Sequence, residues 1–118
     1  MDSEVSWHLE LALSPGKVDE FRSLMNEMIA STKEEPGTLS YSWFISDDAS
    51  QVHIYERYVD SDAVMAHMAT FGERFAARFM AAVSPTRFCI FGSPSAEVKA
   101  LGDQFGASYY PPFGGFAR

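Results

Sequence analysis

The sequence predicts an α+β domain in which a four-stranded antiparallel sheet carries two helices on one face. Three observations predict it. Several segments alternate apolar and polar residues with period two, two longer segments space their apolar residues by three and four, and the order is strand, helix, strand, strand, helix, strand. The 118 residues suffice for one domain with a short appendage. A hydrophobic content of 47% with ten Phe excludes intrinsic disorder.

Val5 to Ala12 alternates, with Val5, Trp7, Leu9 and Leu11 on one face and Ser6, His8 and Glu10 on the other, which predicts a half-buried strand. Ser14-Pro15 offers an N-cap followed by proline at the first helical position. Val18, Phe21, Met25, Met28 and Thr32, flanked by Leu24 and Ile29, form the stripe of an amphipathic helix that Pro36-Gly37 stops near Glu35. Thr38 to Ser46 is the second strand, with Leu39, Tyr41, Trp43 and Ile45 on one face. Asp47-Asp48-Ala49-Ser50 is turn chemistry, so this strand forms a hairpin with Gln51 to Tyr58. That third strand sets Val52, Ile54, Glu56 and Tyr58 against His53, Tyr55 and Arg57.

Asp60 or Ser61 caps a second helix predicted to reach Val83, with Val64, His67, Met68, Phe71, Phe75, Phe79 and Ala82 as its stripe and a bend at Gly72. Ser84-Pro85 ends it, and Thr86 to Gly92 is the fourth strand. The order βαββαβ is ferredoxin-like. Ser93-Pro94 is expected to cap a short helix through Gln104, before an aromatic tail from Tyr109 to Phe116 that should dock on its own subunit or a partner. The domain division expected is therefore 1–93 for the fold and 94–118 for an extension.

Nine Lys and Arg against sixteen Asp and Glu give a net charge of -7, which repels phosphates and excludes nucleic acid as the main partner. No apolar run is long enough to span a bilayer, and the start, Met1-Asp2-Ser3-Glu4, is acidic where a secretory signal is basic, so no membrane role and a cytoplasmic location are expected. The single Cys89 fits a reducing compartment. Three His and one Cys along the chain show no metal-ligand spacing, and no phosphate loop or nucleophile elbow is present, so neither metal nor cofactor is expected. The sheet face away from the helices would carry His8, Glu10, Phe44, His53, Tyr55 and Phe91, a mixed apolar and polar set that suits a homodimer interface.

Glu56 falls by parity on the apolar side of its strand, where burial raises a carboxyl pKa and demands a partner. His67 falls on the apolar stripe of the second helix and suits proton transfer near neutral pH. Each is equally a satisfied structural residue on this evidence. Trp7, Tyr41, Trp43, Tyr58, Phe71 and Phe75 point into the same layer, as core or as the walls of an aromatic-binding pocket.

Ser14-Pro15-Gly16, then Glu35-Pro36-Gly37-Thr38-Leu39-Ser40-Tyr41, then Tyr55-Glu56-Arg57-Tyr58-Val59-Asp60-Ser61-Asp62-Ala63 followed by His67, resembles the antibiotic biosynthesis monooxygenase family of dimeric α+β barrels, over residues 4 to 93. The resemblance implies a homodimer and a cofactor-independent oxygenation of a small phenol- or anthrone-like aromatic, with His67 as base or anion stabiliser, Glu56 supporting it and the six aromatics holding the ring. The same superfamily includes isomerases, which would use the same pocket without oxygen, and a non-catalytic binding or stress-related dimer is the third alternative. Haem-degrading relatives use an Asn in the first strand and a His late in the second helix, and this chain has neither.

Overall fold

The computed structural model describes residues 3–118. The elements run β1 (Val5–Leu13), α1 (Val18–Lys33), β2 (Thr38–Ile45), β3 (Gln51–Tyr58), α2 (Ser61–Arg74), α3 (Ala76–Ala82), β4 (Val83–Gly92), α4 (Ala96–Gln104) and β5 (Ser108–Tyr110). The sheet order is β2-β3-β1-β4-β5, ferredoxin-like in its first four strands and antiparallel there. β5 adds a fifth strand at the β4 edge, in parallel. The sequence hides it because three residues followed by Pro111-Pro112 carry too little pattern to read as a strand.

The layer between sheet and helices holds the core. Val5, Trp7 and Leu11 of β1, Val52, Ile54 and Tyr58 of β3, and Ile90 of β4 are buried there, against Phe21, Leu24 and Met28 of α1, Val64 of α2 and Phe79 of α3. A fully buried aliphatic or aromatic side chain contributes about 1.5–3 kcal/mol, so this layer dominates the stability.

Several boundaries differ from the sequence reading for local reasons. Ser14 does not cap α1. It makes a turn, its carbonyl accepting from Lys17 N–H, and the helix starts at Val18 with no side-chain cap. In β2 the pairing skips Leu39 between Thr38 and Ser40, so Leu39 leaves the inward face and is exposed, as is Ile45 at the strand end. The predicted second helix is two helices that join at Phe75, not at Gly72. Phe75 turns inward with φ -125°, its buried ring lying under the Arg74 and Arg78 guanidinium groups, while Gly72 is exposed and has open space where a side chain would go.

Pro85 does not separate helix from strand. It stands within β4 at a bulge, where the register passes from Glu10↔Arg87 to Leu11↔Pro85 and a missing N–H is tolerated. Ser95, not Ser93, caps α4, its hydroxyl accepting from Val98 N–H. Of the aromatic tail, Tyr109 docks, with its hydroxyl 2.7 Å from both the Lys99 carbonyl and the Asp103 carboxylate. Phe113 and Phe116 are exposed, so of the two places expected for the tail, these residues do not take the one on their own subunit.

Gly92 ends β4 with φ +105°, and a Cβ there would run into the Glu4 carbonyl oxygen. Backbone on both sides leaves nothing free to give way. Gly92→Ala should therefore destabilise the fold by about 2 kcal/mol or more in urea unfolding.

Candidate functional site

β3 presents Glu56 toward the helices because its neighbours in parity, Ile54 and Tyr58, are core residues. The carboxyl is only 5% exposed. An apolar layer charges heavily for an ionised group without partners, and the sequence supplies two. Tyr58, on the same strand face, donates its hydroxyl to Glu56 Oε1. His67, one helical turn after Ala63 on α2, brings Nε2 to 3.4 Å from the same oxygen.

The other nitrogen of His67 fixes the imidazole. Nδ1–H donates to Glu35 Oε1 at 2.8 Å, and the Thr38 hydroxyl donates to that oxygen at 3.3 Å. Glu35 reaches this place because the Pro36-Gly37 turn presses on α2. A Cβ on Gly37 would lie 2.5 Å from the Ala63 Cβ, so only glycine allows the approach. The result is a chain of three groups, Glu35–His67–Glu56, running from a partly accessible carboxylate into the core. His67, like Glu56, is 5% exposed.

Burial pushes the Glu56 carboxyl above the usual range, against the pull of His67, Tyr58 and Trp7, which favour its charged form. Burial and then the Glu56 charge push the Tyr41 hydroxyl up, so it is a neutral phenol. Burial does the same to Tyr58, reinforced by Glu56. Glu56 therefore holds a proton more readily than an ordinary carboxyl, with the Tyr58 hydroxyl and the His67 imidazole beside it.

A cavity adjoins this chain, with about 70 Å³ open to the centres of water-sized molecules. Glu56, Trp7 and Ile54 line its sheet side, and His67 and Phe71 its helix side. Met80, Pro85 and Phe105, all exposed, lie at its solvent side. Met28, Met68 and Met80 contribute flexible thioethers that can repack around an entering group. The indole N–H of Trp7 is buried at this wall near the Glu56 carboxyl, which it favours in the charged form without a well-formed hydrogen bond.

The eight residues singled out in the sequence separate here. Glu56, His67, Trp7, Tyr41 and Phe71 share the cavity. Tyr58 stands behind it as the donor to Glu56, while Trp43 packs against Phe21 and Phe75 is a core side chain under two arginines. Sequence reasoning passed over Glu35 as a site residue, although it lies in the Glu35-Pro36-Gly37 segment that ends the helix. It also passed over Phe105, which comes from the extension.

A family model described as antibiotic biosynthesis monooxygenase matches residues 5–77. Among solved structures, MupZ from Pseudomonas fluorescens aligns with a TM-score of 0.81 at 20% identity, covering 98% of this chain and 94% of that one. SnoaB, a cofactor-independent oxygenase from Streptomyces nogalater, aligns with a TM-score of 0.67 at 19% identity, covering 80% and 96%. A conserved protein from Methanosarcina mazei Go1 aligns at 0.68 and 18% identity, covering 78% and 94%. At these identities the likeness is one of fold. No curated protein matches the sequence.

The buried carboxyl gives stability a pH signature. Below its ordinary value of 4.5 Glu56 is protonated in both folded and unfolded chains. As pH rises past 4.5 the unfolded chain releases this proton first, so this group's stabilising contribution falls until its raised folded value is passed. Glu56→Gln, which mimics the neutral acid, should flatten that decline when urea unfolding is measured from pH 4 upward. A decline equally steep in the variant would show that Glu56 is not its source.

Proposed function

The chain belongs to the antibiotic biosynthesis monooxygenase family, and on that premise we propose that it is a cofactor-independent monooxygenase acting on a small phenol- or anthrone-like aromatic. The observation that carries the proposal is the Glu35–His67–Glu56 chain ending at a cavity that Trp7, Tyr41 and Phe71 also line. In the reaction, His67 Nε2 removes a proton from the substrate, and Glu35 stabilises the imidazolium through Nδ1. The Trp7 N–H donates to the substrate oxygen and steadies the resulting anion. The electron-rich ring carbon passes one electron to O2, and the two radicals join in a carbon–oxygen bond. The hydroperoxide then loses water, leaving one oxygen atom in the quinone carbonyl and the other in the water. Glu56 and the imidazolium return the proton to the departing oxygen. Phe71 and Tyr41 hold the ring, while the apolar wall excludes bulk water.

The same reading pairs two chains through the helix-free sheet face, where Phe44 and Tyr55 are exposed. A second reading rests on the raised proton affinity of Glu56. A neutral acid beside an imidazole is also the apparatus of a non-oxidative isomerase, which takes a proton from one atom and gives it to another.

Oxygen uptake on a panel of hydroxylated aromatics tests the first reading. We expect quinone to form with consumption of O2, and His67→Ala to slow it by about 100-fold or more. No uptake on any member, together with solvent deuterium entering a substrate under nitrogen, would favour the isomerase and sink the oxygenase.

A further inference from the structure

The opposite face of the sheet carries a second cluster that the proposed oxygenation does not use. His8 and Glu10 are two apart on β1, so both point away from the cavity floor formed by Trp7 and Leu9. Glu10 stands directly opposite His53 on β3. Three residues of ligating type thus meet across one strand pair. His8 Nε2 is 2.9 Å from His53 Nδ1, and His53 Nε2 is 3.8 Å from Glu10 Oε1. One ligating atom from each residue lies within 4.8 Å of the other two, and all three side chains are half-buried.

From this geometry we propose that His8, Glu10 and His53 bind a divalent first-row transition ion such as Zn2+. Bonds of roughly 2.0–2.2 Å in a tetrahedron separate donor atoms by roughly 3.3–3.5 Å. The two short contacts use different nitrogens of His53, and one donor atom from each residue lies within 4.8 Å of the others, so side-chain rotations draw the donors together around an ion with the backbone unmoved. The sheet holds the ligands in advance, because neighbouring positions on paired strands cannot drift apart. Two imidazoles and one carboxylate suit Zn2+, Fe2+ and Ni2+ better than Mg2+ or Ca2+, which prefer all-oxygen shells. The three protein ligands leave a fourth position facing away from the sheet, open to water or to a side chain of a second copy.

The neighbours on this face leave the cluster available. Arg87 lies opposite Glu10 on β4, is exposed, and makes no ion pair with Glu10 among the described residues. Cys89 stands opposite His8, buried and outside the cluster. The spacing along the chain conceals all this, since the ligands come from two strands more than 40 residues apart.

The test is calorimetric titration of the chelator-treated, tag-free chain with Zn2+, repeated in a large excess of Mg2+. One Zn2+ per chain, undiminished by Mg2+, is the expected result. His8→Ala and His53→Ala should each weaken binding by more than about tenfold, Glu10→Gln should weaken it too, and Cys89→Ser should leave it unchanged. Co2+ added to the wild-type chain should give visible absorption typical of a four-coordinate nitrogen and oxygen site, a readout that needs no variant to fold. Absence of saturable Zn2+ uptake, or uptake that survives the double variant His8→Ala/His53→Ala, overturns the site.

Discussion

One carboxyl in the wrong solvent organises this protein. Glu56 sits where a strand's parity demands an apolar side chain, and an ionised glutamate there would forfeit its hydration with little in return. The fold answers with a neutralising shell. Tyr58 donates from the same strand and His67 arrives from α2, while Glu35 comes from the end of α1 to hold the far side of the imidazole. Those partners bind three elements to one point. A buried network of this type stabilises only when every member is satisfied. The order of the α1–β2 turn, the close approach at Gly37 and the cap of α2 at Asp60 all serve that condition.

The same network explains why the cavity lies beside it. Large side chains could fill the layer between sheet and helices, as Phe79 and Phe21 do at one end. Near Glu56 and His67 the layer instead keeps open space, a buried indole donor without a well-formed hydrogen bond, and three methionines at the walls. A pure core would gain stability by closing this gap. Polar groups placed at the edge of a gap are the arrangement of a small-molecule site. Chemistry and packing are thus set by one choice, the inward carboxylate of β3.

Much of this was legible in the sequence. Period-two alternation placed Glu56 inward on β3, and spacing by three and four placed His67 on the buried stripe of α2. Those two patterns follow from backbone geometry alone. The rest depended on tertiary position. Glu35 lies beyond the last periodic residue of α1, so only the folded turn reveals its contact with His67. The break at Phe75 has no glycine or proline to announce it, and the glycine that seemed to mark a bend, Gly72, sits in unbroken helix. β5 is too short to alternate visibly, and the His8, Glu10 and His53 cluster joins strands that are neighbours in the sheet but distant in the chain.

The account stands or falls on whether a small molecule meets the Glu35–His67–Glu56 chain inside the layer. A crystal structure of the protein soaked with a planar hydroxylated aromatic addresses that directly. The account predicts the ring against Phe71 and Tyr41, with its oxygen in hydrogen-bond reach of His67 or the Trp7 indole nitrogen. Density only on the opposite sheet face, with the layer beside Glu56 closed, would contradict it.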